Sequence, residues 1–184
     1  MIDLYQIIEQ CAPDVAPTTM LRIIGVESAQ NVAAIGYKIT KEKNVFTLTK
    51  QPRDVGEAKA WATWLLNNGY RFDAGIAQVN SSNFAAFGLT PSNVFDPCTN
   101  IQAGSKILKN FYLSATVKYG EGQQALYAAL SAYQSGNFYT GFSTGYVQKV
   151  VSKKIPDRGK IVGEIPPLQA VEVIHLNIQN DLSN

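Results

Sequence analysis

The segment Leu21-Arg22-Ile23-Ile24-Gly25-Val26-Glu27-Ser28 places a single carboxylate at the end of an apolar stretch with helical periodicity. If this stretch is a helix, Glu27 shares a stripe with Ile23 and Ile24 and points towards the core. A Glu is rarely buried without a partner, and burial disfavours its charged form, which suits a general acid working near neutral pH. The alternative is a Glu at a helix C-terminus whose head group reaches water. Taken alone, the segment leaves both interpretations open.

The bulk composition predicts one globular domain. The chain has 184 residues, 46% hydrophobic and 16% charged, which is enough to bury a core without a metal or several disulfides. The net charge of +2 comes from scattered Lys and Arg, so nucleic acid is not an expected partner. The single histidine, His175, argues against a His-based triad or a His-rich metal site in the main body. We therefore expect no metal and no cofactor.

Three features of the chain bear on its compartment. Cys11 and Cys98 permit one disulfide, but the residues alone leave a pair of buried thiols equally open. The first ten residues are amphipathic and acidic, unlike a signal peptide, so we expect that any signal peptide has been removed from this sequence. No stretch is apolar over the length that a transmembrane helix needs, and we expect no membrane insertion.

Periodicity predicts a mostly helical chain with one β-hairpin. Alternation from Ile35 to Ile39 and from Val45 to Thr49 predicts the hairpin and is the only strong strand pattern. Trp61 and Leu65 are expected in the core. The predicted helices span about 2–10, the Glu27 segment after Pro17, Asp54 to Gly69, Ser81 or Ser82 to Gly88, Pro97 towards Gly120, 125–135 and 144–151.

Four short polar blocks follow one another along the chain. They are Glu27-Ser28, Gly75-Ile76-Ala77-Gln78-Val79-Asn80, Asn100-Ile101-Gln102-Ala103-Gly104 and Ala132-Tyr133-Gln134-Ser135-Gly136-Asn137. Together they resemble the lysozyme-like lytic transglycosylases, whose pattern is Glu-Ser, Gly-Leu-Met-Gln, an Asn-rich helix start with Gly four residues on, and Ala-Tyr-Asn. The resemblance covers roughly residues 10–152. It is strongest to the small periplasmic transglycosylases of type IV secretion and conjugation machines.

The resemblance implies an α+β, predominantly α fold, namely a lysozyme-like domain of the goose-type lysozyme or SLT kind with a small β-hairpin. In these periplasmic enzymes one cysteine precedes the catalytic helix and another follows an Asp-Pro, as Cys11 and Cys98 do here. A Cys11–Cys98 disulfide and a periplasmic localisation are therefore implied. The implied catalytic domain spans residues 1–152, and residues 153–184 are expected to form a partly flexible tail.

The resemblance also implies roles for individual residues. Glu27 is the implied catalytic acid and base. Asp73 is the auxiliary acidic candidate, because a second carboxylate near the site would favour hydrolysis. Asn100 is expected to be a buried amide that ties the long helix to the Glu27 helix. The substrate-binding candidates are Ser28, Gln78, Asn80, Tyr133 and Gln134.

Two departures from the family pattern concern the substrate contacts. Ile76-Ala77 stands where the family has Leu-Met, and Gln134 stands where it usually has Asn. The contacts to substrate are therefore less firmly implied than the acid. Ser28 has the alternative role of a helix-capping hydroxyl, and Tyr133 that of a tyrosine at the edge of the core.

The resemblance implies lytic transglycosylation of peptidoglycan, and the presence of only one convincing carboxylate agrees with it. The enzyme would cleave the bond between N-acetylmuramic acid and N-acetylglucosamine and leave a 1,6-anhydro end, using the sugar's own hydroxyl as nucleophile. The expected partners are peptidoglycan glycan strands and components of a secretion or conjugation machine. Two alternatives stay open, a hydrolytic muramidase on the same fold and a non-catalytic peptidoglycan-binding assembly factor.

Overall fold

A computed structural model describes residues 3–155 of the chain. The expected tail beyond residue 155, with His175, lies outside these residues, so the predicted domain boundary at residue 152 stays a prediction. The described chain divides into two compact units. The first contains the residues up to Val26 and those from Ser105 onward, and the second is Glu27–Gly104. The helices are α1 Leu4–Cys11, α2 Pro17–Glu27, α3 Val55–Asn67, α4 Pro97–Tyr119, α5 Gln123–Ser135, α6 Thr140–Ser143 and α7 Tyr146–Val151.

Helix starts follow local capping chemistry. The Asp54 carboxylate accepts a hydrogen bond from the Glu57 N–H at 2.8 Å, and the Glu57 carboxylate accepts one from the Arg53 N–H at 2.8 Å. These bonds satisfy backbone donors that the first turn of α3 leaves unpaired. The Asp96 carboxylate accepts from the Thr99 N–H at 2.8 Å at the start of α4. Short side chains thus fix where both helices begin.

The first unit has a helical core. Helices α5, α6 and α7 pack against one another. Burial of these apolar side chains stabilises each by about 1.5–3 kcal/mol relative to exposure. The fully buried large side chains of this unit are Ile8, Met20, Ile23, Ile24, Leu108, Tyr112, Leu126 and Leu130.

One charged side chain enters this core. Arg22 is 6% exposed, and its Nη1 donates to the Val151 carbonyl at the end of α7. Its Nε has no hydrogen-bond partner among residues 3–155. Burial lowers the pKa of Arg22, and the nearby Tyr127 opposes that change. Arg22 therefore joins the first part of the chain to the end of the described part.

The second unit contains two small antiparallel hairpins. Strands β1 Ile39–Lys41 and β2 Asn44–Phe46 pair with Ile39 opposite Phe46, which confirms the predicted hairpin. Strands β3 Asp73–Ala74 and β4 Val79–Asn80 form a second pair with Asp73 opposite Asn80. Two short 3-10 helices, Ser81–Asn83 and Ala85–Phe87, follow β4. The second hairpin has no counterpart in the sequence prediction, because each of its strands is only two residues long.

The predicted fold class is confirmed, since seven helices and two small hairpins make the described chain predominantly α with some β. Both Cys11 and Cys98 are disulfide-bonded, as predicted. The placement of Trp61 in the core is wrong, because this side chain is 38% exposed, whereas Leu65 is buried as expected. Within the described helices, none combines the length and the hydropathy needed to cross a bilayer.

Candidate functional site

Glu27 is the last residue of α2 and is half-buried. The chain reverses immediately afterwards, because Ala29 and Gln30 adopt left-handed conformations with φ of 51° and 69°. A residue with positive φ ends a helix by turning the backbone out of its axis. Each of the two interpretations from the sequence agrees in part with the structure. The Glu27 carboxylate lies at a helix C-terminus, and it is neither fully buried nor fully exposed.

Ser28 joins the end of α2 to the β3–β4 turn. Its hydroxyl donates to the Ile76 carbonyl at 2.7 Å. The bond spans 48 residues of sequence, so it is a tertiary link and not a helix cap. The residue that follows Glu27 is therefore fixed to the second family block.

Asn100 holds the same turn from the start of α4. Its side chain is fully buried, and its Oδ1 accepts from the Ala77 N–H at 2.7 Å. Its Nδ2 donates to the carbonyls of Ala74 at 3.0 Å and Val94 at 2.9 Å. The expectation of a buried structural amide is confirmed, but the partner that we expected, the Glu27 helix, is wrong. The three bonds go to the turn and to Val94, because peptide groups of a tight turn lack a strand partner and need a side chain to satisfy them.

Gly75 makes this arrangement possible. It has a φ of 81°, and a Cβ at this position would lie 2.3 Å from Asn100 Nδ2 and 2.7 Å from the Val94 carbonyl oxygen. Both the backbone angle and the available space therefore require glycine. Gly75 of the second block and Asn100 of the third block therefore pack directly against each other.

Gln78 uses its amide donors inside the protein. It has a φ of 51°, and its Nε2 donates to the carbonyls of Gly75 at 2.8 Å and Ala34 at 3.2 Å. Its Oε1 lies 3.2 Å from the position that a Cβ on Gly36 would occupy. The predicted contact between Gln78 and substrate stays a prediction, and the atom left for it is Oε1.

Asp73 and Asn80 form a pair across the second hairpin. Asn80 Nδ2 donates to Asp73 Oδ1 at 2.8 Å, and Asn80 Oδ1 accepts from the Ser82 N–H at 3.0 Å and the Ser82 hydroxyl at 2.7 Å. Burial raises the pKa of Asp73, while the Asn80 hydrogen bond and the Lys38 charge act in the opposite direction. Asn80 therefore orients a half-buried carboxyl through one of its two amide N–H groups.

Gly36 is a site residue that the sequence analysis missed. It is buried, and a Cβ there would lie 3.1 Å from Asp73 Cβ and 3.3 Å from Asp73 Oδ2. The same Cβ would approach Gln78, so glycine leaves room for both polar side chains at once. An isolated Gly within an alternating strand pattern indicates a close approach of this kind, and Ile35-Gly36-Tyr37 shows that pattern.

The fourth block lies on α5, in the first unit. Tyr133 is half-buried and Gln134 is exposed, and Gln134 Oε1 accepts from the Thr144 hydroxyl at 3.5 Å. Gly136 ends the helix in the left-handed conformation, and its N–H donates to the Ala132 carbonyl at 2.7 Å.

Ser131 organises the segment that follows this block. Its hydroxyl donates to the Asn137 carbonyl at 2.9 Å and accepts from the Gly141 N–H at 2.8 Å. A Cβ on Gly141 would lie 2.6 Å from Ser131 Cα, so the two backbones are in close contact. Tyr133 and Gln134 thus sit on a helix end that residues on either side hold in place.

The sequence matches a family profile, that of the Transglycosylase SLT domain, over residues 5–155. This match covers most of the chain. The chain belongs to the Transglycosylase SLT domain family. The predicted resemblance is confirmed, and three of the four blocks of this SLT domain are joined by the Ser28–Ile76 and Ala77–Asn100 hydrogen bonds.

Curated relatives of this SLT domain carry a more specific name. The chain is 44% identical over 158 residues to the Type IV secretion system protein virB1 of Brucella abortus biovar 1 (strain 9-941), a match that covers 83% of the chain and 64% of that protein. It is 37% identical over 141 residues to the Protein virB1 of Agrobacterium tumefaciens (strain 15955), covering 77% of the chain and 56% of that protein. The SLT domain therefore spans somewhat less than two thirds of these relatives. None of the solved structures matches it significantly.

The donor set of this SLT domain offers no metal site in the part of the chain that the structure describes. No three His, Cys, Asp or Glu side chains of residues 3–155 come together in a group that could hold an ion.

Proposed function

We propose that this chain is a peptidoglycan lytic transglycosylase in which Glu27 is the acid and base. The Ser28–Ile76 hydrogen bond is the observation that carries the proposal, because it fixes the residue after Glu27 to the turn that bears Gln78. Membership of the Transglycosylase SLT domain family supports the activity. A carboxyl that is half-buried at a helix end, next to a residue hydrogen-bonded to that turn, suits proton transfer to a bound glycan.

The proposed reaction uses one carboxyl twice. Glu27 donates its proton to the glycosidic oxygen between N-acetylmuramic acid and N-acetylglucosamine as that C–O bond breaks. The oxygen of the 2-acetamido group of N-acetylmuramic acid stabilises the oxocarbenium-like centre at C1 of that sugar. The C6 hydroxyl of the same sugar then bonds to C1 and returns its proton to Glu27, which leaves a 1,6-anhydro end. An internal hydroxyl reacts at high effective concentration, so no second carboxylate is needed to hold a water.

The remaining candidates have positioning or binding roles in this proposal. Ser28 orients the end of α2, and Gln78 offers its Oε1 to the sugar. Asn80 orients Asp73 and is also a proposed contact to the glycan. Tyr133 and Gln134 are proposed substrate-binding residues, and the Tyr133 hydroxyl is the proposed hydrogen-bond partner of the catalytic carboxylate. A ring oxygen, an acetamido group and several hydroxyls of each sugar supply matching donors and acceptors.

Asp73 favours a second candidate function, hydrolysis on the same fold. Its carboxyl is half-buried, and burial raises its pKa towards neutrality, which is the direction that makes a better general base for water. The two reactions give different products, because the anhydro sugar is one water lighter than the hydrolysed one. Mass spectrometry of the fragments released from purified sacculi separates them.

The setting proposed for this activity is local opening of the cell wall for a secretion or conjugation apparatus. The relatives named Type IV secretion system protein virB1 support this setting, and the chain spans 64% of their length. The disulfide at Cys11 and Cys98 supports an oxidising compartment, which for such a machine is the periplasm. Components of that machine are proposed partners, and residues 1–152 are the proposed catalytic domain.

Glu27→Gln tests the catalytic role directly. Glutamine keeps the shape of the side chain but cannot deliver a proton, and a general acid–base group contributes about 10²–10⁴-fold to rate. Because Glu27 serves both steps, turnover of sacculi should fall by about 10⁴-fold while thermal stability stays unchanged. Glu121→Gln, at an exposed glutamate, is the matched control and should keep full turnover.

The outcome decides among the alternatives. Activity of Glu27→Gln within tenfold of the parent would move the acid elsewhere, with Asp73 the first candidate. Absence of turnover in the parent, together with binding to sacculi, would identify the chain as a non-catalytic wall-binding assembly factor.

A further inference from the structure

An exposed row of aromatic rings lies on the second unit. Trp61 and Trp64 are one turn apart on α3 and are 38% and 50% exposed. Phe46, on β2, is 44% exposed. Tyr70 lies between Trp64 and Phe46. We call Phe46, Trp61, Trp64 and Tyr70 the aromatic ridge. A contiguous exposed aromatic surface on a folded domain indicates a binding function.

The rings of the ridge hold one another in place. Trp64 and Tyr70 stack with centroids 5.5 Å apart and planes inclined by 21°. Trp61 meets Trp64 edge to face at 6.1 Å, and Phe46 meets Tyr70 edge to face at 5.5 Å. Such pairs contribute about 0.5–1.5 kcal/mol beyond the area they bury. The ridge is therefore preorganised, which lowers the entropy that binding must overcome.

A positive charge lies beside the ridge, within a segment of net positive charge. Lys41 Nζ lies 5.2 Å from the Tyr70 ring centroid, and the exposed Arg71 pairs with Thr40 through their backbones. The segment from residue 38 to 71 has seven Lys and Arg against three Asp and Glu, an excess of four positive charges, whereas the whole chain has an excess of two. The seven are Lys38, Lys41, Lys43, Lys50, Arg53, Lys59 and Arg71.

We infer that the aromatic ridge is a second peptidoglycan-binding surface, formed by residues outside the four family blocks. Sugar rings have an apolar C–H face that packs on an aromatic ring, while the lactyl groups and stem peptides of peptidoglycan carry carboxylates that basic side chains attract. Stacked Trp and Tyr rings with Lys41 beside them, in a segment of net positive charge, fit both halves of this polymer. The inference rests on the proposed function for the identity of the polymer. A protein component of a secretion machine is the rival occupant, and binding to purified sacculi, which contain no such protein, distinguishes the two.

Co-sedimentation with purified sacculi tests the ridge. All variants carry Glu27→Gln, so the wall is not digested during the measurement. Trp64→Ala should weaken binding about 3- to 10-fold, and Trp61→Ala with Trp64→Ala should weaken it further. The control is Phe142→Ala, which removes a ring that is 51% exposed in the first unit and should bind like the parent. Melting temperatures establish that every variant is folded.

Salt dependence tests the charged part of the ridge. Lys41→Gln with Arg71→Gln should flatten the fall in binding between low and high salt, while Trp64→Ala should leave that slope unchanged. Binding of Trp64→Ala within twofold of Phe142→Ala would overturn the inference and leave the protein rival, as would failure of the parent to sediment with sacculi. Product analysis of the protein with intact Glu27 is a separate measurement. If that protein shows no turnover but its binding to sacculi still depends on the ridge, the proposed function is refuted and the inference about the ridge stands.

Discussion

The second hairpin, residues 73–80, and the segment 131–141 both carry family blocks, but they use them differently. In the hairpin the motif side chains build the structure, because Gln78 and Asn80 bond to the protein and Gly75 admits Asn100. In the segment 131–141 the hydrogen bonds that hold the backbone come from Ser131, whereas Tyr133 and Gln134 stay at least partly exposed. A shared motif therefore does not imply a shared role: substitutions in the hairpin should act mainly on stability, and those at Tyr133 mainly on activity.

Gly75→Ala should produce the largest effect. The new Cβ meets Asn100 at 2.3 Å in a left-handed backbone, so the free energy of unfolding should fall by at least about 3 kcal/mol. Gly69→Ala is the matched control, since Gly69 also has positive φ, at 75°, but no atom within 4 Å of the added Cβ. It should cost only about 1 kcal/mol. Urea unfolding of both variants isolates the cost of the clash, and equal losses would contradict the role given to Asn100.

Ser131→Ala should have the next largest effect, in the other region. Loss of the hydroxyl removes the acceptor of the buried Gly141 N–H and the donor to Asn137. An unsatisfied buried donor costs about 1–3 kcal/mol. Ser114→Ala, at an exposed serine that bonds within α4, should cost less than about 0.5 kcal/mol. A thermal melt that shows no difference between the two variants would mean that the 131–141 segment is held by other contacts.

Asp73→Asn should change how stability depends on pH. Burial raises the pKa of Asp73 in the folded chain above its ordinary value of 3.8, so the folded state binds more protons than the unfolded state between the two values. The native carboxyl therefore lowers the free energy of unfolding progressively as pH rises above about 3.8. This loss is absent below that pH and reaches its full size above the raised pKa of the folded chain. Melting temperatures across pH should show Asp73→Asn gaining on the parent as pH rises; a constant difference would show that Asp73 is not desolvated.

Tyr133→Phe should have the smallest effect on stability and a clear one on activity. Only a hydroxyl is removed from a half-buried ring, so unfolding should change by less than about 1 kcal/mol. If that hydroxyl positions the catalytic carboxylate, turnover of sacculi should fall about tenfold or more, because hydrogen bonds to charged groups contribute about 1.5–3 kcal/mol. Tyr127→Phe, at another half-buried tyrosine of α5, should keep its activity. Unchanged turnover in both would assign Tyr133 to the edge of the core.

The sequence predicted the parts of this molecule that depend on local chemistry. Helix starts at Asp54 and Asp96 followed from capping residues, and the β1–β2 hairpin followed from alternation. The Asp73–Ala74 and Val79–Asn80 strands could not be predicted, because two residues are too few for a period to appear. Placing Trp61 in the core failed because helical spacing alone does not tell which face of α3 is covered.

Within the candidate site, the sequence predicted which residues belong to the site but not which residues they hydrogen-bond to. Glu27, Ser28 and Gln78 were identified from the blocks, whereas the Ser28–Ile76 and Asn100–Ala77 bonds join residues 48 and 23 positions apart. Contacts over such separations depend on tertiary packing that no local pattern encodes. Gly36 does stand out locally as an isolated glycine in an alternating pattern, but the side chains that require it, Asp73 and Gln78, lie far along the chain and could not be identified from that pattern.

The Arg22–Val151 hydrogen bond has a consequence for the order in which the chain folds during synthesis. The two residues are 129 positions apart, so the ribosome makes nearly the whole described chain before the Arg22 guanidinium can reach its acceptor. Until then α2 can pack only with this guanidinium donor lacking its acceptor, and an unsatisfied buried donor costs about 1–3 kcal/mol. Native packing of α2 should therefore be completed late, and nascent chains that end before α7 should stay protease-sensitive around Arg22.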